Sequence, residues 1–230
     1  MNKLKEIEKE AAKHGLGYEL GHNESRSFEM AEFRAGQVDD KAQIEGHAAV
    51  YNKRTNIGDW FYEIIEPGAF KDCDFDDVLF CINHDTQKIP VARSRRNNKN
   101  STMQLATDDK GLAVTAYPDI ENNAESRSLY HSIQRGDIDG MSFIFRVAEE
   151  RWEDLDKDMP TRHILKFKKV YEVSAVTMPA YRDTNISARD QQALENASLV
   201  LENARRSAGL ENPVSELELL KLRTQILSKG

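Results

Sequence analysis

Three polar side chains stand where strand-like runs call for apolar ones. His84 stands last but one in the stretch "VLFCINHD", on the face that alternation gives to Val78, Phe80 and Ile82. Ser142 sits in "GMSFIF" between Met141 and Phe143, whose size and apolar character predict burial, and a buried hydroxyl needs a partner. Glu172 lies in "VYEVSAV", on the face shared with Val170, Ser174 and Val176; a carboxylate there is costly unless paired, and an imidazole is a natural partner. Hydroxyl, imidazole and carboxylate are the parts of a serine-nucleophile triad. Residue types alone do not select this trio. His163 is a second imidazole upstream of Glu172, in the charged stretch "DLDKDMPTRH" that reads as a solvated turn, and Asp85 adjoins His84, although neighbouring strand residues point to opposite faces.

Other chemistries fit less well. His47, His84, Asp85, His163 and Glu172 are suitable metal ligands by type, but no HExxH or paired spacing organises them, so neither a metal nor another cofactor is expected. Cys81 is three residues before His84 and in a strand would face away from it. Cys73 and Cys81, the only cysteines, form no CxxC pair and read as free thiols of a reducing compartment. With 32 Lys and Arg against 39 Asp and Glu, the net charge of −7 argues against a nucleic-acid partner. No apolar run approaches the roughly 18 residues of a membrane span, and "MNKLKEIEKEAAKHG" has no apolar core of signal-peptide length, so action in a cytoplasm without a membrane partner is expected.

The elements that must position these residues fall into three zones. Residues 1–26 are polar and highly charged and read as a flexible N-terminal arm. Residues 27–189 change to short segments of period-two alternation separated by turn signals, as in a sandwich or barrel. Within them "AQIEGHAAVYN" places Ile44, Gly46, Ala48 and Val50 on one face, "STMQLATDDKGLAVTAYP" reads as two strands joined around Asp108–Gly111, and a helix is expected over about 123–135 with Gly136 as its stop. "GMSFIFRVAEERW" and "HILKFKKVYEVSAVTMPAY" are the most strand-like runs. Residues 190–230 return to helix chemistry, with Leu194, Ala197, Leu201 and Ala204 on one stripe and Pro213 opening a second helix. Two amphipathic helices appended to a β domain are expected to dock on a partner.

In their order along the chain, "IEGHAAVYN", "EIIEPGAF", "FCINHD", "VARS", "DDKGL", "RGDIDGMSFIF" and "YEVSAVTMPAY" resemble the prohead maturation proteases of tailed bacteriophages, relatives of the herpesvirus assembly proteases. The resemblance covers roughly residues 42–189. It implies a mainly β fold with helices (α+β), a closed or nearly closed barrel surrounded by helices as in the herpesvirus assemblins, here with a helical C-terminal tail. It implies a serine endopeptidase that cleaves the major capsid protein's scaffolding segment, and itself, inside the viral procapsid in the host cytoplasm, self-associating as a homodimer. On it, Ser142 is the nucleophile, His84 the general base and Glu172 the third member. The herpesvirus enzymes have a second His where this chain offers Glu172, which keeps His163 as a rival. The loop "PAYRD" corresponds to their oxyanion loop, which makes Ala180, Tyr181 and Arg182 the candidate donors. The resemblance leaves one alternative of another class, a non-catalytic scaffold or capsid-assembly factor that keeps the protease fold. Self-processing is expected within about 203–212, where "ARRSAGLENP" reads as an exposed stretch between helices.

Overall fold

The computed structural model describes residues 23–29, 33–98, 100–177 and 188–210. Eleven strands and two helices follow in the order β1 (Glu24–Glu29), β2 (Arg34–Val38), β3 (Lys41–Val50), β4 (Thr55–Ile57), β5 (Phe61–Ile65), β6 (Leu79–Ile82), β7 (Ala92–Arg93), β8 (Met103–Thr107), β9 (Gly111–Ala116), α1 (Ala124–Arg135), β10 (Gly140–Glu153), β11 (Thr161–Val176) and α2 (Ala188–Ser207). The two most strand-like runs became the two longest strands, β10 and β11.

β11 is the spine of a seven-stranded sheet. One edge pairs with β10 along nearly its whole length, and β1 continues beyond β10. Its other edge is shared by two short parallel partners, β5 at Thr161–Ile164 and β6 at Glu172–Ala175. The second sheet is antiparallel, in the order β2-β3-β9-β8. Among the described residues the ladders form these two sheets and do not close into a barrel. The chain is thus mainly β with two described helices, and the expected closure is not seen in its hydrogen bonding.

The core lies between the sheets. Ile44, Ala48, Leu112 and Val114 from one meet Phe143, Phe145, Phe167 and Val173 from the other, with Phe70 stacked on Phe167 at 4.2 Å between ring centroids. The alternation expected in β3 holds through Ala48. A bulge between His47 and Ala49 then buries Ala49 and turns Val50 toward the margin. Helix α1 forms where expected. Asn123 caps it by accepting from the N–H groups of Glu125 and Ser126, and Gly136 ends it at φ 77°, a left-handed conformation that glycine adopts without strain.

Two expectations about the termini are corrected. Glu24–Arg26 are not part of an arm: they pair with Ile144 and its neighbours in β10, and Glu24 and Arg26 are buried. Their charges are matched inside the protein. Arg26 donates two hydrogen bonds to Glu63, at 2.6 and 2.7 Å, and one to Glu24 at 2.8 Å, while Arg162 bonds Glu24, Glu63 and Glu150. The first tail helix, in turn, docks on its own domain. Ala197 and Leu201 of α2 pack with Ile57 and Phe61 under Trp60 and Trp152, and Arg205 donates to the carbonyls of Leu155 and Lys157 at 3.0 and 2.6 Å. The second tail helix lies outside the described residues.

The ionic cluster sets a stability prediction. Arg162→Met leaves Glu24 and Glu63 buried with one guanidinium between them and should cost about 3–5 kcal/mol in denaturant unfolding; a loss below about 1 kcal/mol contradicts this account. The pH dependence follows from Glu24. Burial alone would push its carboxyl up, but Arg162 and Arg26 overcome that and hold it below the ordinary 4.5. Its stabilisation is therefore present above pH 4.5 and lost as the pH falls through the lowered value. Acid unfolding should be shallower for Glu24→Gln than for the unaltered chain.

Candidate active site

Registers place the candidate residues on one face. Ser142 of β10 is opposite Ser174 of β11, and Ile144 is opposite Glu172. Across the other edge of β11, Glu172 meets Leu79 and Ser174 meets Cys81 of β6. Residues opposite one another point to the same side of a sheet, so Ser142, Ser174, Glu172 and Cys81 share a face. The alternate positions Phe143, Val173 and Phe80 point into the core. A register shift between Ile144 and Phe145 makes Tyr171 an extra residue, since Phe145 is opposite Val170 while Ile144 is opposite Glu172. Val170 therefore joins the core, and the expectation that it shares a face with Glu172 is corrected by this bulge.

His84 reaches that face by leaving the strand. β6 ends at Ile82, and Asn83 and His84 both adopt left-handed backbone, at φ 50° and 59°. Such conformations cost of order 1–3 kcal/mol each unless their surroundings hold them. Here they are held. Asn83 N–H makes the last ladder bond, to the Ala175 carbonyl at 2.9 Å, and its side-chain oxygen accepts from Thr177 N–H at 3.0 Å. His84 N–H donates to Ser174 Oγ at 3.0 Å. The strand alternation that put His84 beside Val78, Phe80 and Ile82 thus fails at this turn.

The turn carries the imidazole to Glu172. His84 Nδ1 lies 3.1 Å from each carboxylate oxygen, and Ser174 Oγ donates to Glu172 Oε1. A carboxylate only accepts, so Nδ1 carries a hydrogen, and in the neutral ring Nε2 then presents its lone pair. The glutamate is 2% exposed and the imidazole 13%, so the pair sits at the edge of the interior with the ring toward solvent. Ser142 is fully buried on the neighbouring strand, where opposite side chains lie about 5 Å apart at Cβ. Its Oγ donates to the Arg26 carbonyl at 2.9 Å and lies 3.3 Å from Ser25 Oγ. No hydrogen bond joins it to His84 among the described residues. Free enzymes often show such long or misdirected catalytic contacts, which tighten around substrate.

The other candidates are placed elsewhere. His163 is not in a turn but in β11, nine positions from Glu172 and so roughly 30 Å along the strand. Its Nδ1 bonds Glu66 at 2.6 Å, and Nε2 lies 3.4 Å from Glu153. Asp85 accepts from Gln87 N–H within the turn. Cys81, expected to face away from His84, is opposite Ser174 and on the site's face, buried and without a disulfide. His47 pairs with Asp108 in the other sheet. Among the described residues no three His, Cys, Asp or Glu gather as a metal site. Ala180, Tyr181 and Arg182 lie outside the described residues. The residue that sequence reasoning passed over is Ser174, although the E-x-S spacing of "YEVSAV" already set it beside Glu172 on one strand face.

Comparison with known proteins adds one finding. A family model described as caudovirus prohead serine protease matches residues 29–198, from the last residue of β1 into α2. No curated protein and no solved structure gives a significant match.

Proposed function

Because the chain belongs to the caudovirus prohead serine protease family, we propose that it is the endopeptidase of capsid maturation, with Ser142 as nucleophile, His84 as general base and Glu172 as the residue that orients the base. The observation that carries this reading is the His84–Glu172 couple, bonded at 3.1 Å and set on the sheet face that also displays Ser142. Ser142 Oγ would turn from the Arg26 carbonyl to His84 by a change of rotamer and attack the scissile carbonyl carbon. Its proton passes to His84 Nε2 and from there to the leaving amine. Glu172 keeps the hydrogen on Nδ1 and stabilises the imidazolium that forms. Backbone N–H groups of Ala180, Tyr181 and Arg182 are the proposed oxyanion donors. Water, giving its proton to His84 Nε2, then attacks the acyl carbon, the bond to Ser142 Oγ breaks, and His84 returns that proton to the serine as the carboxylic product leaves.

The proposed substrates are the scaffolding segment of the major capsid protein and the protease's own tail, cut inside the procapsid, with a homodimer as the working assembly. No described helix is long and apolar enough to cross a membrane. Co-expression with the capsid protein, followed by intact mass spectrometry of both chains, tests the reading directly. A scaffold that keeps the fold without catalysis is the second reading, and the full burial of Ser142 with its hydroxyl on Arg26 favours it. A fluorophosphonate separates the two, because a scaffold should not label at Ser142.

Self-processing is narrowed by α2. Helix continues to Ser207 and Arg205 is anchored to the Leu155–Lys157 segment, so Asn203–Ser207 is not the exposed linker expected from its composition. A protease cleft takes extended chain. Cleavage should therefore fall after Ser207, within about 208–212, and intact mass of the mature enzyme checks it. A mature chain that still ends at Gly230 would contradict self-processing at this segment.

A further inference from the structure

We infer that Ser174 is a positioning residue of the proposed triad, an inference that rests on the reading of Ser142, His84 and Glu172 as protease machinery. A serine hydroxyl has one hydrogen to give and two lone pairs to receive. Glu172 can only accept, so the hydrogen goes to Glu172 Oε1, and a lone pair receives His84 N–H at 3.0 Å. One hydroxyl thus grips both the backbone of the base and the carboxylate that holds its ring. The fold needs this grip, because His84 stands past the end of β6 in left-handed backbone, beyond the last ladder bond at Asn83.

Ser174 is also where the two halves of the site meet. It is fully buried, so water does not compete for its hydrogen bonds, and it lies opposite Ser142 across β10 and β11. Its contact with His84 N–H therefore sets how far the base stands from the strand that bears the nucleophile. With Cα fixed by Ser174 and Nδ1 by Glu172, only a narrow set of χ1 and χ2 values remains for the imidazole, and Nε2 is aimed before substrate arrives. A displacement of about 1 Å in such a constellation costs on the order of a hundredfold in rate.

Inactivation of the full chain by a fluorophosphonate reads this role, since the reagent reports the reactivity of the nucleophile without needing the natural substrate. Ser174→Ala should lower the maximal inactivation rate constant about ten- to hundredfold and leave the reagent's half-saturating concentration unchanged. Ser174→Cys keeps the volume but offers only a weak S–H donor, so it should be as slow as alanine. Ser174→Thr keeps the hydroxyl in a strand that suits a β-branched residue and should recover most of the rate. A purely structural role would make alanine and cysteine differ in melting temperature and not in reactivity. Wild-type inactivation of Ser174→Ala or Ser174→Cys overturns the inference. If the alanine variant does not fold, equal rates for cysteine and threonine overturn it instead. Ser142→Ala runs beside them: labelling that survives there refutes the triad itself, whereas its loss together with a normal Ser174→Cys refutes only the role of Ser174.

Discussion

Ser142→Ala, co-expressed with the capsid protein, should leave that protein at full length where, on the proposed function, the unaltered chain should trim it. The expected loss is about a thousandfold to a millionfold, because removing the proposed nucleophile leaves only what binding and the proposed oxyanion donors supply. The fold should survive, since alanine removes a hydroxyl whose partners, the Arg26 carbonyl and Ser25 Oγ, lie on an edge strand. His84→Ala should fall to the same floor, and the double variant should be no slower than either single one, because residues that act as a unit do not add. Cys81→Ser should still cleave, which keeps the thiol on the same face from being mistaken for the nucleophile. Intact mass of the capsid protein is the readout. Trimmed product from a clean Ser142→Ala preparation would sink the assignment.

Glu172→Gln should lower turnover by about four orders of magnitude while the fold persists. The direction follows from the hydrogen bonds around the carboxylate. Ser174 gives its hydrogen to an acceptor at the Oε1 position, so the amide oxygen settles there and the amide NH2 takes the position of Oε2, and both positions lie 3.1 Å from His84 Nδ1. Nδ1 then faces one neutral acceptor and one donor in place of a carboxylate, so its hydrogen is held less firmly and the imidazolium loses the opposite charge that would stabilise it. The proposed base is then less well oriented and less able to take up a proton. His163→Ala should change cleavage little, because its partners are Glu66 and Glu153 at the far end of β11. Peptide turnover by both variants decides between the two candidates for third member. A normal Glu172→Gln beside a dead His163→Ala would show that His163 holds that place.

What could be read from the chain alone was whatever depends on local alternation and turn chemistry. Period-two runs and their punctuation located the β8–β9 hairpin and the two long strands, and the spacing of four between Leu129 and Ile133 with the Gly136 stop located α1, because one face of each is buried and the pattern records it. The same logic marked Ser142 and Glu172, polar residues in apolar runs, and motif order tied them to His84. Only the tertiary structure decided what depends on the match between elements. The bulge at Tyr171 separates Glu172 from Val170 because β10 and β11 pair out of step there, and a single strand's pattern carries no record of its neighbour's register. His84 meets Glu172 because two left-handed residues break the alternation, and Ser174, a residue 90 positions away, holds the break in place. The charged N-terminal stretch looked solvated since charge alone predicts exposure. Glu24 and Arg26 are buried instead, because Glu63 and Arg162, brought beside them by the parallel β5–β11 ladder, neutralise and hydrogen-bond them, and the complement of a buried charge comes from another part of the chain.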